Sequence, residues 1–185
     1  TGKYVLLLNN DTVVSRGWIT NMVKHLENNS QYGMCNPVTN SIGNESKIEV
    51  KYKNKEEMEL FAYEYTSMHM NEEYEDVDRL PLFATIINKK VIEKVGLLDE
   101  SYKIGMFEDD DYTEAVKSAG YDITIAEDAF IHHVNNASFK KMDDQKYRAI
   151  FEANKEVYEK KWGLKWKMPK YRNGVTALTN NECNV

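Results

Sequence analysis

Cysteine is nearly absent from the chain: Cys35 and Cys183 are the only two in 185 residues, far apart and without a CxxC partner. That excludes a zinc ribbon and a disulfide framework, and makes a reducing compartment the expected setting. No apolar run approaches the roughly 18 residues needed to span a bilayer, and no charged and apolar pair of segments marks a secretory signal. Basic charge is short as well. Lys and Arg number 24 against 30 Asp and Glu, a net charge of −6, which argues against the basic face of a nucleic-acid binder. A phosphorylated ligand remains compatible, since a metal ion or one lysine can supply positive charge locally. The chain also lacks a Walker loop, GxGxxG, HExxH, an EF-hand loop and a GxSxG turn. Neither an internal repeat nor a low-complexity segment is present.

What is there suits one domain: ordinary length, 42% hydrophobic residues for a core and 29% charged residues for a surface. Tyr4–Asp11, "YVLLLNND", reads as a buried strand that stops abruptly in two asparagines and an acid. The chain starts at Thr1 and enters this core-type strand within three residues, so a piece of a longer protein is expected. Ser15 is a candidate helix cap before Trp18, Ile19, Met22, Val23 and Leu26, which recur at helical spacing. Tyr32–Val38 is a strand closed by Pro37, and Cys35 in it is a small core residue. A helix is predicted near Lys55–Tyr74 with Met58, Phe61, Ala62, Tyr65 and Met68 on one stripe. A strand (Leu82–Ile87), a short helix, a helix over Tyr112–Ala119 and one or two strands in "YDITIAEDAFIHHV" follow. The last helix runs over Asp143–Trp162. Residues 1–169 form the domain, and 170–185 are expected to be a polar, loosely ordered tail.

Three places could carry chemistry. Asn10 and Asp11 at a strand end are an Asx turn on the bland reading. On the other reading, Asp11 holds a hard cation and leaves room for substrate phosphates. In "FEDDDY", Asp111 with Glu114 resembles a capping box, which would explain Asp110 and Asp111 without function. Glu108 and Asp109 are placed before that helix, and crowding of four acids is expected to raise one pKa into the range of a general base. In "FIHHVNNASF", adjacent histidines in a strand point to opposite faces, so one of His132 and His133 can face a site and complete a metal shell. His25 and His69 take the structural reading.

The order of the pieces is more specific than any one of them. "LLNNDT", "LPLFATIINKKVIEKVGLLDE", "GMFEDDDY", "AGY" and "IHHVNNASF" together resemble the later part of a bacterial family 2 glycosyltransferase, from Lys3 to about Trp166. The resemblance implies an α/β fold of GT-A type, a mixed sheet flanked by helices, here without the first nucleotide-binding strands. It implies transfer of a sugar from a nucleotide-diphosphate donor to an acceptor hydroxyl, metal-assisted by Mg²⁺ or Mn²⁺ and inverting. Asp11 and His133 would be metal ligands. Asp109 would be the catalytic base with Glu108 beside it, and Asn9, Asn10 and Asp110 would bind substrate or diphosphate. Lys117 comes late for the basic residue that often follows the ED pair. The implied partners are a nucleotide sugar and a saccharide, lipid-linked or protein acceptor. The implied setting is cytoplasmic polysaccharide biosynthesis, at the inner face of the membrane through other parts of the parent. A non-catalytic glycosyltransferase-like module and a metal-dependent phosphoesterase are the competing readings.

Overall fold

A computed structural model describes residues 2–102, 105–134 and 143–179. Its centre is an all-buried strand, β3 (Tyr32–Thr39), which lies parallel to β6 (Asp122–His133) and antiparallel to β5 (Ala84–Asn88). The edge beyond β5 is β1 (Tyr4–Leu8), antiparallel to it with Leu8 opposite Ala84. On the other side β6 pairs with β2 (Thr12–Val14) and with the two-residue β4 (Glu73–Tyr74). The sheet is therefore mixed, with strand order β1-β5-β3-β6-β2 and β4 added at β6.

Successive strand residues serve opposite faces, as a two-residue period requires. Met34 and Ile87 join a cluster with Met58 and Ala62 of α2 (Lys55–Met68), Val91 of α3 (Lys89–Val95) and Val116 of α4 (Glu108–Ser118). Their neighbours Cys35 and Ile86 pack instead against Met22 and Leu26 of α1 (Trp18–Asn28). Each Met, Leu, Ile or Val side chain among them, fully buried, contributes about 1.5–3 kcal/mol. Gly33 permits the closest approach: a Cβ there would lie 2.9 Å from Tyr121 Cβ and 3.0 Å from Val116 Cγ1. A third cluster joins Tyr102, Phe107 and Tyr158, the last on α5 (Asp144–Trp162), with Phe151, Trp162 and Trp166 around it.

Several expectations shift by local physics. Ser15 does not cap α1; its hydroxyl is buried and donates to Phe130 O at 2.6 Å, while Gly17 caps the helix at φ 83°. Helix α2 ends at Met68 rather than near Tyr74, and Met68 is 71% exposed instead of on the buried stripe. Pro37 sits inside β3, next to the register shift between Pro37 and Val38, where a missing N–H is tolerated. "DITIAEDAFIHH" is one strand, its pairing to β3 jumping from Ala126 to Phe130. Of the expected tail, residues 170–179 contact the domain. Arg172 pairs with Glu127 at 2.6 Å and lies over the Tyr74 ring, and Lys47 Nζ donates to the carbonyls of Thr176 and Ala177 at 3.0 and 3.1 Å. Residues 180–185, with Cys183, fall outside the described residues, as does 135–142, which includes all of "NNASF".

Candidate active site

Strand β1 ends by handing Asn9 N–H to Phe83 O at 2.7 Å, and Thr12 Oγ1 closes the following turn onto Asn9 O at 2.8 Å. The side chains of Asn9 and Asn10 are exposed there. The turn feeds β2, which the sequence reading had missed, and Thr12 pairs with His133 at the end of β6. Val134 N–H donates to Asp11 O at 2.9 Å. This places Asp11 Oδ1 3.3 Å from His133 Nε2. The other ring nitrogen, Nδ1, lies 2.8 Å from Ser41 O, an acceptor only, so Nδ1 carries the hydrogen. Asn40 clamps the backbone of His133, accepting from its N–H at 2.7 Å and donating to its carbonyl at 3.2 Å, and Phe83 stacks on the ring at 5.3 Å.

With Nδ1 protonated, a neutral His133 turns the lone pair of Nε2 toward a carboxylate. Two acceptors at that distance repel unless a proton or a cation lies between them. Carboxylate oxygen plus an imidazole oriented through its far nitrogen is a donor set that fits Mg²⁺ or Mn²⁺. Among the described residues no third His, Cys, Asp or Glu joins the pair, so water and ligand oxygens would complete the shell, as is usual for Mg²⁺. His132 faces away. Its Nδ1 hydrogen-bonds with the Tyr52 hydroxyl at 2.6 Å, and burial, aided by His133, lowers its pKa to about 4.

The acids of "FEDDDY" begin a helix instead of preceding one. Gly105, Met106 and Phe107 have φ of 91°, 69° and 74°, and α4 starts at Glu108 with all four acids in its first turn and no side-chain cap. Two consecutive bulky residues in the left-handed region are strained, by about 1–3 kcal/mol each. Asn154 of α5 holds this turn, its Nδ2 donating to Gly105 O at 2.8 Å and Met106 O at 3.0 Å. The Phe107 ring is wedged among Phe151, Tyr158 and Trp166, with centroids 5.1–5.8 Å apart.

The four carboxylates then divide. Asp111 receives Lys161 Nζ at 2.8 Å, Trp162 Nε1 at 2.8 Å and the Tyr102 hydroxyl at 3.2 Å. Asp110 pairs with Arg79 at 3.0 Å and accepts from Trp166 Nε1 at 2.7 Å. These two tie α5 and the segment after it to α4, which accounts for Asp110 without a ligand. Asp109 accepts from the neighbouring Asp110 N–H at 2.9 Å and has no ion-pair partner among the described residues. Part of its surface opens on a cleft while protein surrounds the rest. Burial, then the charges of Asp110 and Glu108, raise its pKa to about 7 despite the favourable helix terminus. Burial raises Glu108 too, and its Oε2 is buried without a hydrogen bond.

Asp109 and Asp110 line a cleft of about 260 Å³ with Ile42, Gly43, Asn44, Arg79, Pro81 and Pro169. The loops that wall it are those that hold His133: Ser41 gives the carbonyl to its Nδ1, and Phe83, two residues beyond Pro81, stacks on it. Helix α4 is fastened to the second loop through Thr113 Oγ1, which accepts from Leu80 N–H at 3.2 Å, and through Lys117, which donates to Asp78 O at 3.1 Å.

Residues 1–152 match the family model described as glycosyltransferase like family 2. The chain belongs to that family. No curated protein matches it. Among solved structures it is similar to the crystal structure of GalNAc-T7 with UDP, GalNAc and Mn²⁺, at 12% identity and a TM-score of 0.51. The match covers 71% of this chain and 27% of the GalNAc-T7 chain. That likeness gives the family 2 domain its fold, the mixed GT-A sheet expected from the order of its sequence pieces. Within it, Asp11 and His133 meet, Asp109 stands on the cleft, and Asp110 is engaged by Arg79 and Trp166. Sequence reasoning missed Asn40, Ser41, Arg79 and Asn154. None belongs to a recognisable signature.

Proposed function

We propose that the chain is the metal- and acceptor-binding part of an inverting glycosyltransferase that moves a sugar from a nucleoside-diphosphate donor to an acceptor hydroxyl. The observation that carries this reading is one pair of loops serving two chemistries: the Asp11–His133 pair at 3.3 Å and the cleft walled by Asp109. Asp11 and His133 would hold Mg²⁺ or Mn²⁺. Such an ion, when bound, would supply positive charge to stabilise the leaving diphosphate. Asn9 and Asn10, exposed beside Asp11, offer amides to the donor.

Asp109 takes the acceptor proton. A carboxylate with a pKa near 7 is matched to that task at neutral pH. As the proton leaves, the acceptor oxygen bonds to the anomeric carbon and the bond to the diphosphate oxygen breaks, so a single displacement inverts the centre. Glu108 supports the acceptor side, and Asp110 serves by fixing Arg79 and Trp166. The donor is a nucleotide sugar; saccharide, lipid-linked and protein acceptors all supply the required hydroxyl. Glycan assembly in the cytoplasm is the setting consistent with the free, buried thiol of Cys35. No helix among the described residues is long and apolar enough to cross a membrane.

Thermal unfolding with Mn²⁺ and UDP, ADP, GDP or CDP, beside Asp11→Ala, tests the donor site. Ligand at 100 times its Kd adds about 2.7 kcal/mol, or about 5–10 °C for a domain of this size. The expected rise needs metal and diphosphate together and disappears in the variant. A rise that survives Asp11→Ala removes Asp11 as a ligand, and no rise with any of the four removes the donor site from this chain.

A further inference from the structure

The cleft beside Asp109 holds a cation, Arg79, to which the transfer mechanism assigns no contact with substrate. Arg79 carries five N–H donors in a planar fork, and its Nη1, buried against Asp110, makes no well-aligned hydrogen bond among the described residues. It is held in place all the same. Asp110 sits 3.0 Å from Nη1, the Trp166 ring lies 5.5 Å from the guanidinium carbon, and Asn44 Nδ2 fixes the backbone by donating to Arg79 O at 3.0 Å. A fork locked by an ion pair and an aromatic face, with unspent donors at the wall of a cleft, is arranged to bind something.

The surrounding charges define what it binds. Asp110 already balances the guanidinium, and Asp109 and Glu108 stand on the same turn of α4. A carboxylate or phosphate in the cleft would gain little from a neutralised Arg79 and would be repelled by the acids. An uncharged polyol has no such conflict, because each hydroxyl oxygen accepts from Arg79 while its hydrogen goes to a carboxylate. The cleft, about 260 Å³, is smaller than the roughly 300–1,000 Å³ of pockets that enclose drug-sized ligands, which suits one sugar unit.

We propose that Arg79 is a specificity-determining residue: it hydrogen-bonds a hydroxyl of an uncharged sugar unit next to the one that Asp109 deprotonates, and the acids around it reject anionic sugars. This rests on the transferase reading only in calling the bound sugar an acceptor.

The test uses the methyl glycosides of galactose, N-acetylglucosamine and glucuronic acid, titrated into ¹⁵N-labelled protein without nucleotide or metal. The indole N–H of Trp166, bonded to Asp110, reports on the cleft; that of Trp162, bonded to Asp111, reports on the fold. At least one neutral glycoside is expected to move the Trp166 resonance, with the glucuronide at least tenfold weaker. Arg79→Met is expected to weaken the neutral glycoside at least tenfold while Trp162 keeps its position, and Arg79→Lys to recover only part. Tighter binding of the glucuronide, unchanged affinity in Arg79→Met, or no response to either neutral glycoside would overturn the proposal. Adding Mn²⁺ and nucleoside diphosphate to the same sample separates the two ideas. Nucleotide binding without glycoside binding sinks the role of Arg79 alone, and the reverse sinks the transferase reading alone.

Discussion

Asp109→Asn is expected to make the protein more stable, and increasingly so as pH rises. Folding lifts the Asp109 pKa from 3.8 to about 7, first by burial and then by the charges of Asp110 and Glu108. Below about pH 3.8 the group is protonated in both states and costs nothing. Between 3.8 and about 7 the unfolded chain ionises while the folded one keeps its proton, so stability falls; above about 7 the loss is complete. At 1.36 kcal/mol per pH unit the interval corresponds to about 4 kcal/mol, and sharing of the proton with neighbouring acids makes about 2–4 kcal/mol the working range. Asparagine keeps the acceptor oxygen that receives the Asp110 N–H but never ionises. Urea denaturation of both proteins from about pH 4 to pH 8.5 would give a stability difference near zero at the acid end and about 2–4 kcal/mol in favour of Asn at the alkaline end. In melting temperature that is on the order of 5–15 °C for a domain of this size. A difference that stays flat with pH would refute the reasoning, since a packing effect has no reason to titrate. Such a gain also fits a residue placed for chemistry at the expense of stability.

Two further variants probe positions away from the cleft's charge. His25 lies with Nδ1 2.7 Å from Glu73 Oε1 and Nε2 2.7 Å from Asp128 Oδ1. Burial works against its charge, but the bonds to Asp128 and Glu73 outweigh it and raise the pKa above 6.5. The stability it adds is complete below about pH 6.5 and is lost as pH rises through the raised value. His25→Phe, which leaves Asp128 buried without its cation, is expected to cost about 3–5 kcal/mol at pH 6 and less at alkaline pH. A cost below about 1 kcal/mol in urea denaturation would contradict this. Asn154→Ala removes both hydrogen bonds from the strained turn before Glu108, at about 1 kcal/mol each, so melting is expected to drop by about 4–8 °C; an unchanged melting temperature would mean the turn holds itself.

What could be read in advance follows from the range of the forces involved. Met58, Ala62, Met22 and Leu26 follow a helical period and are buried as that period requires, because each face is decided by residues three or four apart. Asp11 and His133 were readable singly, and their opposite-face rule already excluded one of two histidines. Their meeting was not readable, because it depends on β2, a three-residue strand whose pairing partner is more than a hundred positions away. The ED pair shows the limit from the other side. A capping box was a sound local expectation, yet the helix starts four residues earlier because Asn154 and the aromatic wedge around Phe107 hold two residues in a conformation that local propensity disfavours. The same contacts set the chemistry. Had α4 begun at Tyr112, Asp109 would lie in a loop before the helix; beginning at Glu108, it is packed into the wall of a cleft and its pKa is raised to about 7. Strain at the turn and the proton affinity of Asp109 therefore have one cause, the docking of α5, and a change that loosens α5 is expected to lower the Asp109 pKa as well as the melting point.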